Sequence, residues 1–190
     1  AGVVVVLLFS TIPILFVTEP RVLAGEAPGG GPVPERKKTD WVQLWKIYGA
    51  HAFSWIGVQT MFVYIIAYIQ QKMPISSDPA LAAEESGRII AISFAILNTV
   101  GFLLPAFVLE PMTEKIGRNR VHLIAVAIMA LGYFGIVAFG TTPLSLYLLM
   151  AVCGIGWGSI VSLPFAIMTE AIDSSRTGFF MGIFNLSVVL

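Results

Sequence analysis

Charge is what this chain has least of. Lysine, arginine, aspartate and glutamate make up 12% of its 190 residues, against roughly 25% in an average soluble domain. The 11 basic and 11 acidic residues cancel, so no net field singles out nucleic acid as a partner. A single cysteine, Cys153, leaves no disulfide framework and no thiolate metal cluster. Histidine is confined to His51 and His122, with no HExxH pattern. A metal site, a cofactor or a convergent acid–base set therefore has no evident ligands, and no enzyme activity is expected. A basic leader is missing as well. Ala1–Val17 is apolar without one, and Phe179–Leu190 stops inside an apolar run too short to span. Both ends are expected to be cuts in a longer protein.

What the chain does have is apolar sequence, 57% of its residues, with a mean hydropathy of +0.87. Six runs carry it: Ala1–Val17, Ile47–Ile69, Ile89–Leu109, Val121–Gly140, Leu144–Met168 and one starting at Phe179. Every charged residue lies between these runs or at their ends. A charge at mid-bilayer costs about 2.5–3.5 kcal/mol on insertion scales, so a membrane would impose this segregation. Spanning helices need about 20 residues, whereas barrel strands alternate over about 10. The runs therefore predict an all-α, multi-pass bundle in the lipid bilayer, of a plasma membrane or a bacterial inner membrane.

Nine of the 11 lysines and arginines lie in 18–46, 110–120 and 169–178. The positive-inside rule puts these three stretches in the cytoplasm. The first contains Gly25-Glu26-Ala27-Pro28-Gly29-Gly30-Gly31-Pro32-Val33-Pro34, a flexible linker. The expected division is the end of one bundle at 1–17, a cytoplasmic linker at 18–46 and a second bundle at 47–190. The short turn Thr141-Thr142-Pro143 makes the two runs it joins antiparallel neighbours. Gly154, Gly156 and Gly158 lie within a span with no strand before them, so they read as close helix packing, with a bend at Pro164, rather than as a nucleotide loop.

One loop reads Glu114-Lys115-Ile116-Gly117-Arg118-Asn119-Arg120. It is a positive-inside loop with a glycine turn, and it also resembles the signature loop of the major facilitator superfamily. Asn119 replaces one base of that pattern, and Glu110 stands where the pattern opens with glycine. Glu170 is the expected partner of Arg118, in a pair that holds an outward-facing state and breaks on opening. Four further stretches resemble the plant sucrose–proton symporters and their animal and bacterial relatives. They are Phe53-Ser54-Trp55-Ile56-Gly57; Leu97-Asn98-Thr99 with Glu110-Pro111-Met112; Ser162-Leu163-Pro164-Phe165-Ala166 with Glu170; and Gly182-Ile183-Phe184-Asn185-Leu186-Ser187. The resemblance covers residues 41–190 and implies helices six to eleven of a twelve-helix facilitator. It further implies a secondary transporter moving a sugar or glycoside with a proton by alternating access. Facilitators of a non-sugar solute, and a membrane receptor or channel, stand as the alternatives.

The polar residues sort as that fold implies. The helices taken as six and nine are nearly free of them, while those taken as seven, eight, ten and eleven carry the rest. Trp55, Gln59, Asn98, Ser162 and Asn185 are the candidates for the substrate cavity. His51, Trp55 and Gln59 share one helix face, and an aromatic plate beside an amide suits the apolar C–H faces and hydroxyls of a sugar. Interhelical packing and hydrogen bonding account for the same residues equally well. No carboxylate lies inside a span, so the proton carrier is expected in the missing half or at His51. Glu114, Lys115, Gly117, Arg118 and Glu170 are the candidates for a cytoplasmic gate.

Overall fold

A computed structural model describes residues 38–189, which belong to one compact unit, Arg36–Leu190. The first apolar run and most of the predicted linker lie outside the described residues. All the regular structure within them is helical. Helix α1 is Trp41–Lys72, α2 is Pro79–Leu104, and a π-helical turn, Pro105–Leu109, carries α2 into the short α3, Glu110–Ile116. Then come α4, Arg118–Phe139, α5, Pro143–Ala171, and, after a 3-10 turn, α6, Thr177–Val189. Four stretches are long and apolar enough to cross a membrane: Trp41–Lys72, Pro79–Ile116, Arg118–Phe139 and Pro143–Ala171. The protein is an integral, multi-pass membrane protein.

Helices α1, α2 and α5 begin where the sequence supplies acceptors for their unpaired first amides. The Asp40 carboxylate accepts from Gln43 N–H, and Asp78 accepts from the amides of Ala80 and Leu81. Thr142 and Ser145 form a reciprocal capping box, with Pro143 as the first helical residue. These caps lie outside the apolar runs. Helix α1 accordingly starts six residues before Ile47, so residues 41–46 are helix rather than linker. Its polar first turns belong to the membrane–water boundary, where hydropathy marks no helix.

Residues 38–46, the described part of the first segment rich in lysine and arginine, gather with the other two at one end of the bundle. There Asp40 N–H donates to Ala171 O at 2.8 Å, Asp173 N–H donates to Thr39 Oγ1 at 3.1 Å, and Arg118 pairs with Glu170. Two apolar cores are stacked along the bundle. One, at the basic end, includes Leu44, Tyr48, Val121, Ile167, Met168, Phe180 and Phe184. The other includes Val58, Ile65, Leu97, Met129, Met150, Cys153 and Ile160. The outer surface remains apolar, with Phe102, Phe107, Phe134 and Val137 among the most exposed side chains. In a bilayer those side chains contact lipid.

Helix α5 is the shared neighbour of α2 and α4, and its glycines make that possible. A Cβ on Gly154 would stand 2.9 Å from Leu97 O of α2, and one on Gly158 would stand 2.7 Å from Gly101 O. On the other side, a Cβ on Gly156 would lie 2.8 Å from Ala125 O of α4. The Gly101 carbonyl is special for a second reason. Its regular helical donor would be residue 105, which is proline and has no N–H. From Pro105 the chain continues as a π turn, in which Glu110 N–H donates to Pro105 O.

Valine at 158 would thrust a branched side chain into the α2 backbone, which has no flexible end to yield. Gly158→Val is expected to destabilise the bundle by about 1–3 kcal/mol. Gly87→Ala, in open space on α2, is expected to stay within about 1 kcal/mol of the parent, on the stabilising side. Thermal unfolding in detergent, followed by tryptophan fluorescence, compares the two.

Candidate functional site

A layer of polar and aromatic side chains lies between the two apolar cores. Its axis is the face of α1 that carries His51, Trp55 and Gln59, one turn apart. Trp55 Nε1–H donates to His51 Nε2 at 2.9 Å. The His51 ring is stacked on Phe184 of α6, with centroids 4.3 Å apart. Trp55 meets Trp157 of α5 edge-on at 5.8 Å. Trp157 in turn donates through Nε1 to Asn98 Oδ1 of α2 at 3.1 Å. One turn away, His122 Nδ1 of α4 is 2.8 Å from Ser159 Oγ of α5. The layer thus draws on five helices and pairs nearly every polar atom it buries, as a low-dielectric interior requires.

The five cavity candidates divide. Trp55 and Gln59 line a groove of about 720 Å³ together with Ala52, Ile56, Thr60 and Tyr64. Asn98 and Ser162 line a second groove of about 400 Å³ beside Pro105 and Trp157. The Trp55–Trp157 contact separates the two. Asn98 is engaged on both sides, since its Nδ2 also donates to Phe94 O at 2.8 Å. Ser162 Oγ donates to Gly158 O at 2.6 Å. Asn185 is exposed on α6 and lines neither groove. Of the five, Gln59 is an exposed amide beside aromatic surface with no hydrogen bond among the described residues. Thr60 and Tyr64 were not among the sequence candidates. Thr60 follows Gln59 directly and Tyr64 lies one helical turn beyond Thr60, and that spacing was the available signal.

His51 is buried, with 2% of its surface exposed. It lines a separate cavity of about 190 Å³ with Gln43, Lys46, Asn119, His122 and Pro164. Two histidines from separate helices therefore share one small cavity, which sequence spacing could not reveal. Because α1 starts at Trp41, His51 sits about 15 Å along the helix from its first residue, deeper than its place in the apolar run suggested. No cluster of three or more metal-ligating side chains occurs among the described residues.

The loop candidates occupy the basic end. Gly117 separates α3 from α4 with φ 86° and ψ 148°, a region open essentially only to glycine. Its N–H donates to Thr113 O while its carbonyl accepts from Val121 N–H, so one residue both closes α3 and opens α4. That turn aims Arg118 at the last turn of α5, where it forms an ion pair with Glu170. The two side chains are 45% and 59% exposed. A pair so solvated adds only about 0–1 kcal/mol to stability. Glu114 and Lys115 are exposed on the last turn of α3. Glu114, Gly117, Arg118, Asn119, Arg120 and Glu170 line a polar recess at that end.

No curated protein and no solved structure matches the chain. A family model, that of the Major Facilitator Superfamily, matches residues 1–190. Its members are membrane transporters rather than enzymes, and the helical bundle with four membrane-crossing stretches is what part of such a transporter looks like. The match extends over the whole sequence, the glycine-hinged loop included, and so the chain belongs to the major facilitator superfamily.

Proposed function

We propose that this membrane transporter is a secondary active carrier of a sugar or glycoside, sucrose-like in kind, coupled to a proton. Residues 41–190 would supply one wall of the path and 18–40 the connector to the other bundle. The observation that carries the reading is the groove on α1. It sets the indole of Trp55 and the ring of Tyr64 beside the Gln59 amide and the Thr60 hydroxyl, and no charged residue lines it. Its volume of about 720 Å³ lies in the range of small-molecule sites, about 300–1,000 Å³. An uncharged wall fits a neutral solute. Aromatic plates with amide and hydroxyl groups fit one that alternates C–H faces with hydroxyls.

In the full-length protein in proteoliposomes, a labelled disaccharide is expected to accumulate when the outside is acidified. Gln59→Ala is expected to raise KM at least several-fold with a smaller change in the maximal rate. Failure of every sugar tried, with accumulation of another neutral solute, would overturn the sugar assignment. A ligand-gated current in place of accumulation would remove the transporter mechanism.

The Arg118–Glu170 pair is the proposed latch of one conformation. Its stability contribution is small, so its effect is expected in transport and not in unfolding. Arg118→Glu and Glu170→Arg are each expected to lower the uptake rate by tenfold or more with little change in thermal stability. The double swap is expected to recover a large part of the loss. Equal losses in the swap and in the single variants would show that the two residues act independently.

A further inference from the structure

The hydrogen-bond chemistry of His51 assigns its tautomer. An indole N–H can only donate, so His51 Nε2, 2.9 Å from Trp55 Nε1, must offer a lone pair. A neutral imidazole holds one proton, which must then be on Nδ1. His51 Nδ1 is buried and has no hydrogen-bond partner among the described residues. It belongs to the side chain that lines the 190 Å³ cavity with His122, Asn119, Gln43 and Lys46. A water takes about 30 Å³ of liquid volume, so such a cavity admits several, and a polar lining can hold them.

We infer that the Nε2 lone pair of His51 is a proton site, occupied in alternation with the Trp55 hydrogen bond. A proton bound at Nε2 forms a new N–H bond and displaces the indole N–H, with no change of oxidation state. The freed Trp55 N–H then turns to an acceptor in the groove that Trp55 lines, such as a hydroxyl of the solute. The imidazolium holds N–H on both nitrogens. Loss of the Nε2 proton restores the Trp55 bond. The Nδ1 proton stays on throughout, facing the cavity, where water can accept from it. One residue would thus join solute and proton, and this role rests on the symport reading above.

The groups facing His51 are few. Lys46 is on its own helix and His122 on α4; both line the cavity, and both carry or can carry positive charge. From α6 it meets the Phe184 ring, and from α5 Pro164 and Ile167 line the same cavity. Among the described residues, no carboxylate lines that cavity. The proton site therefore depends on water, and on the relief of the unpaired Nδ1 donor, rather than on a counter-ion.

The test uses the full-length protein in lipid nanodiscs with ¹⁵N-labelled histidine and tryptophan, His51 being assigned by loss of its signals in His51→Gln. The expected result at alkaline pH is a His51 protonated on Nδ1. On acidification the Trp55 indole N–H signal should shift in step with His51 protonation, and that response should be lost in His51→Gln. A neutral His51 protonated on Nε2 would overturn the inference. So would an indole signal that stays put while His51 takes up its proton, or a His51 that never protonates while the protein stays folded. Uptake assays separate the two levels. If solute uptake ignores the pH gradient in the parent protein, symport fails, and the magnetic resonance result still decides whether proton and indole share the lone pair.

Discussion

The bundle depends on how closely α5 can approach two helices at once. Gly154 and Gly158 are four residues apart and face α2, while Gly156 lies between them on the side of α4. In a bilayer no hydrophobic effect drives helices together, because lipid tails are as apolar as leucine. Dispersion contacts and backbone approach must do the work, and both fade within an ångström of added separation. The glycines remove the side chains that would hold the axes apart. Gly132 on α4 continues the seam, since a Cβ there would stand 2.7 Å from Cys153 Sγ. The buried thiol of Cys153 is thus a packing group. Seating Trp157 against Gly101, where a Cβ would meet its ring at 2.5 Å, follows from the same approach. So does the reach of Ser159 to His122.

The polar layer can exist because that packing is tight. Each of its bonds crosses a helix boundary or fixes a ring: Trp157 to Asn98, His122 to Ser159, Trp55 to His51. In a low-dielectric interior an unmade hydrogen bond is costly, so donors and acceptors settle into definite directions. Both indoles donate to protein acceptors, Trp55 to buried His51 and Trp157 to Asn98 at the edge of a groove. Their ring faces and edges remain for the grooves. The aromatic run continues from Trp157 to Phe62 and on to Phe94, so the layer grades into the second apolar core without a gap. The first core is joined in the same way, through Phe184, which touches His51, Tyr48 and Phe165.

Much of this architecture was legible in residue order alone. Hydropathy and the exclusion of charge located the apolar body of each spanning helix, because lipid penalises charge by position and not by context, but they left the charged helix α3, Glu110–Ile116, as loop. The glycines of α5 were readable for the same reason, since small residues inside a span have few uses other than close approach. The pairing of Arg118 with Glu170 followed from opposite charges at adjoining helix ends. Helix starts were less legible. Trp41–Lys46 looks like linker to a hydropathy scale, and only the Asp40 cap shows that the helix has begun. The partition of the cavity candidates was not legible at all. Asn98 and Ser162 share a groove with Trp157, and Gln59 lines another with Trp55. That depends on a rotamer and on the room at Gly101. The meeting of His51 with His122 depends likewise on how α1 and α4 cross α5, which no periodicity encodes.

The basic end combines buried and main-chain contacts with one solvated ion pair. The start of α1 and the end of α5 are bound backbone to backbone, Asp40 to Ala171, with Thr39 on Asp173 beside it. Tyr48 Oη donates to Phe180 O and binds α6 to the same group. Rings reinforce it, with Trp41 edge-on to Phe180 and Arg176 over Phe179. The turn between α3 and α4 is flanked by Leu109 and Val121, which are buried in the first core, and at its tip it adds the solvated pair of Arg118 and Glu170. Below that turn, α4 is held to α5 by glycine packing and by the short connection at Gly140–Thr142. The Tyr48–Phe180 hydrogen bond is buried, whereas the Arg118–Glu170 pair is at the surface, next to a glycine whose backbone no other residue type readily adopts. Water competes for an ion pair far more easily than for a buried main-chain hydrogen bond. Of the contacts that close this end, the Arg118–Glu170 pair is consequently the one that can be exchanged at least cost when the bundle changes state.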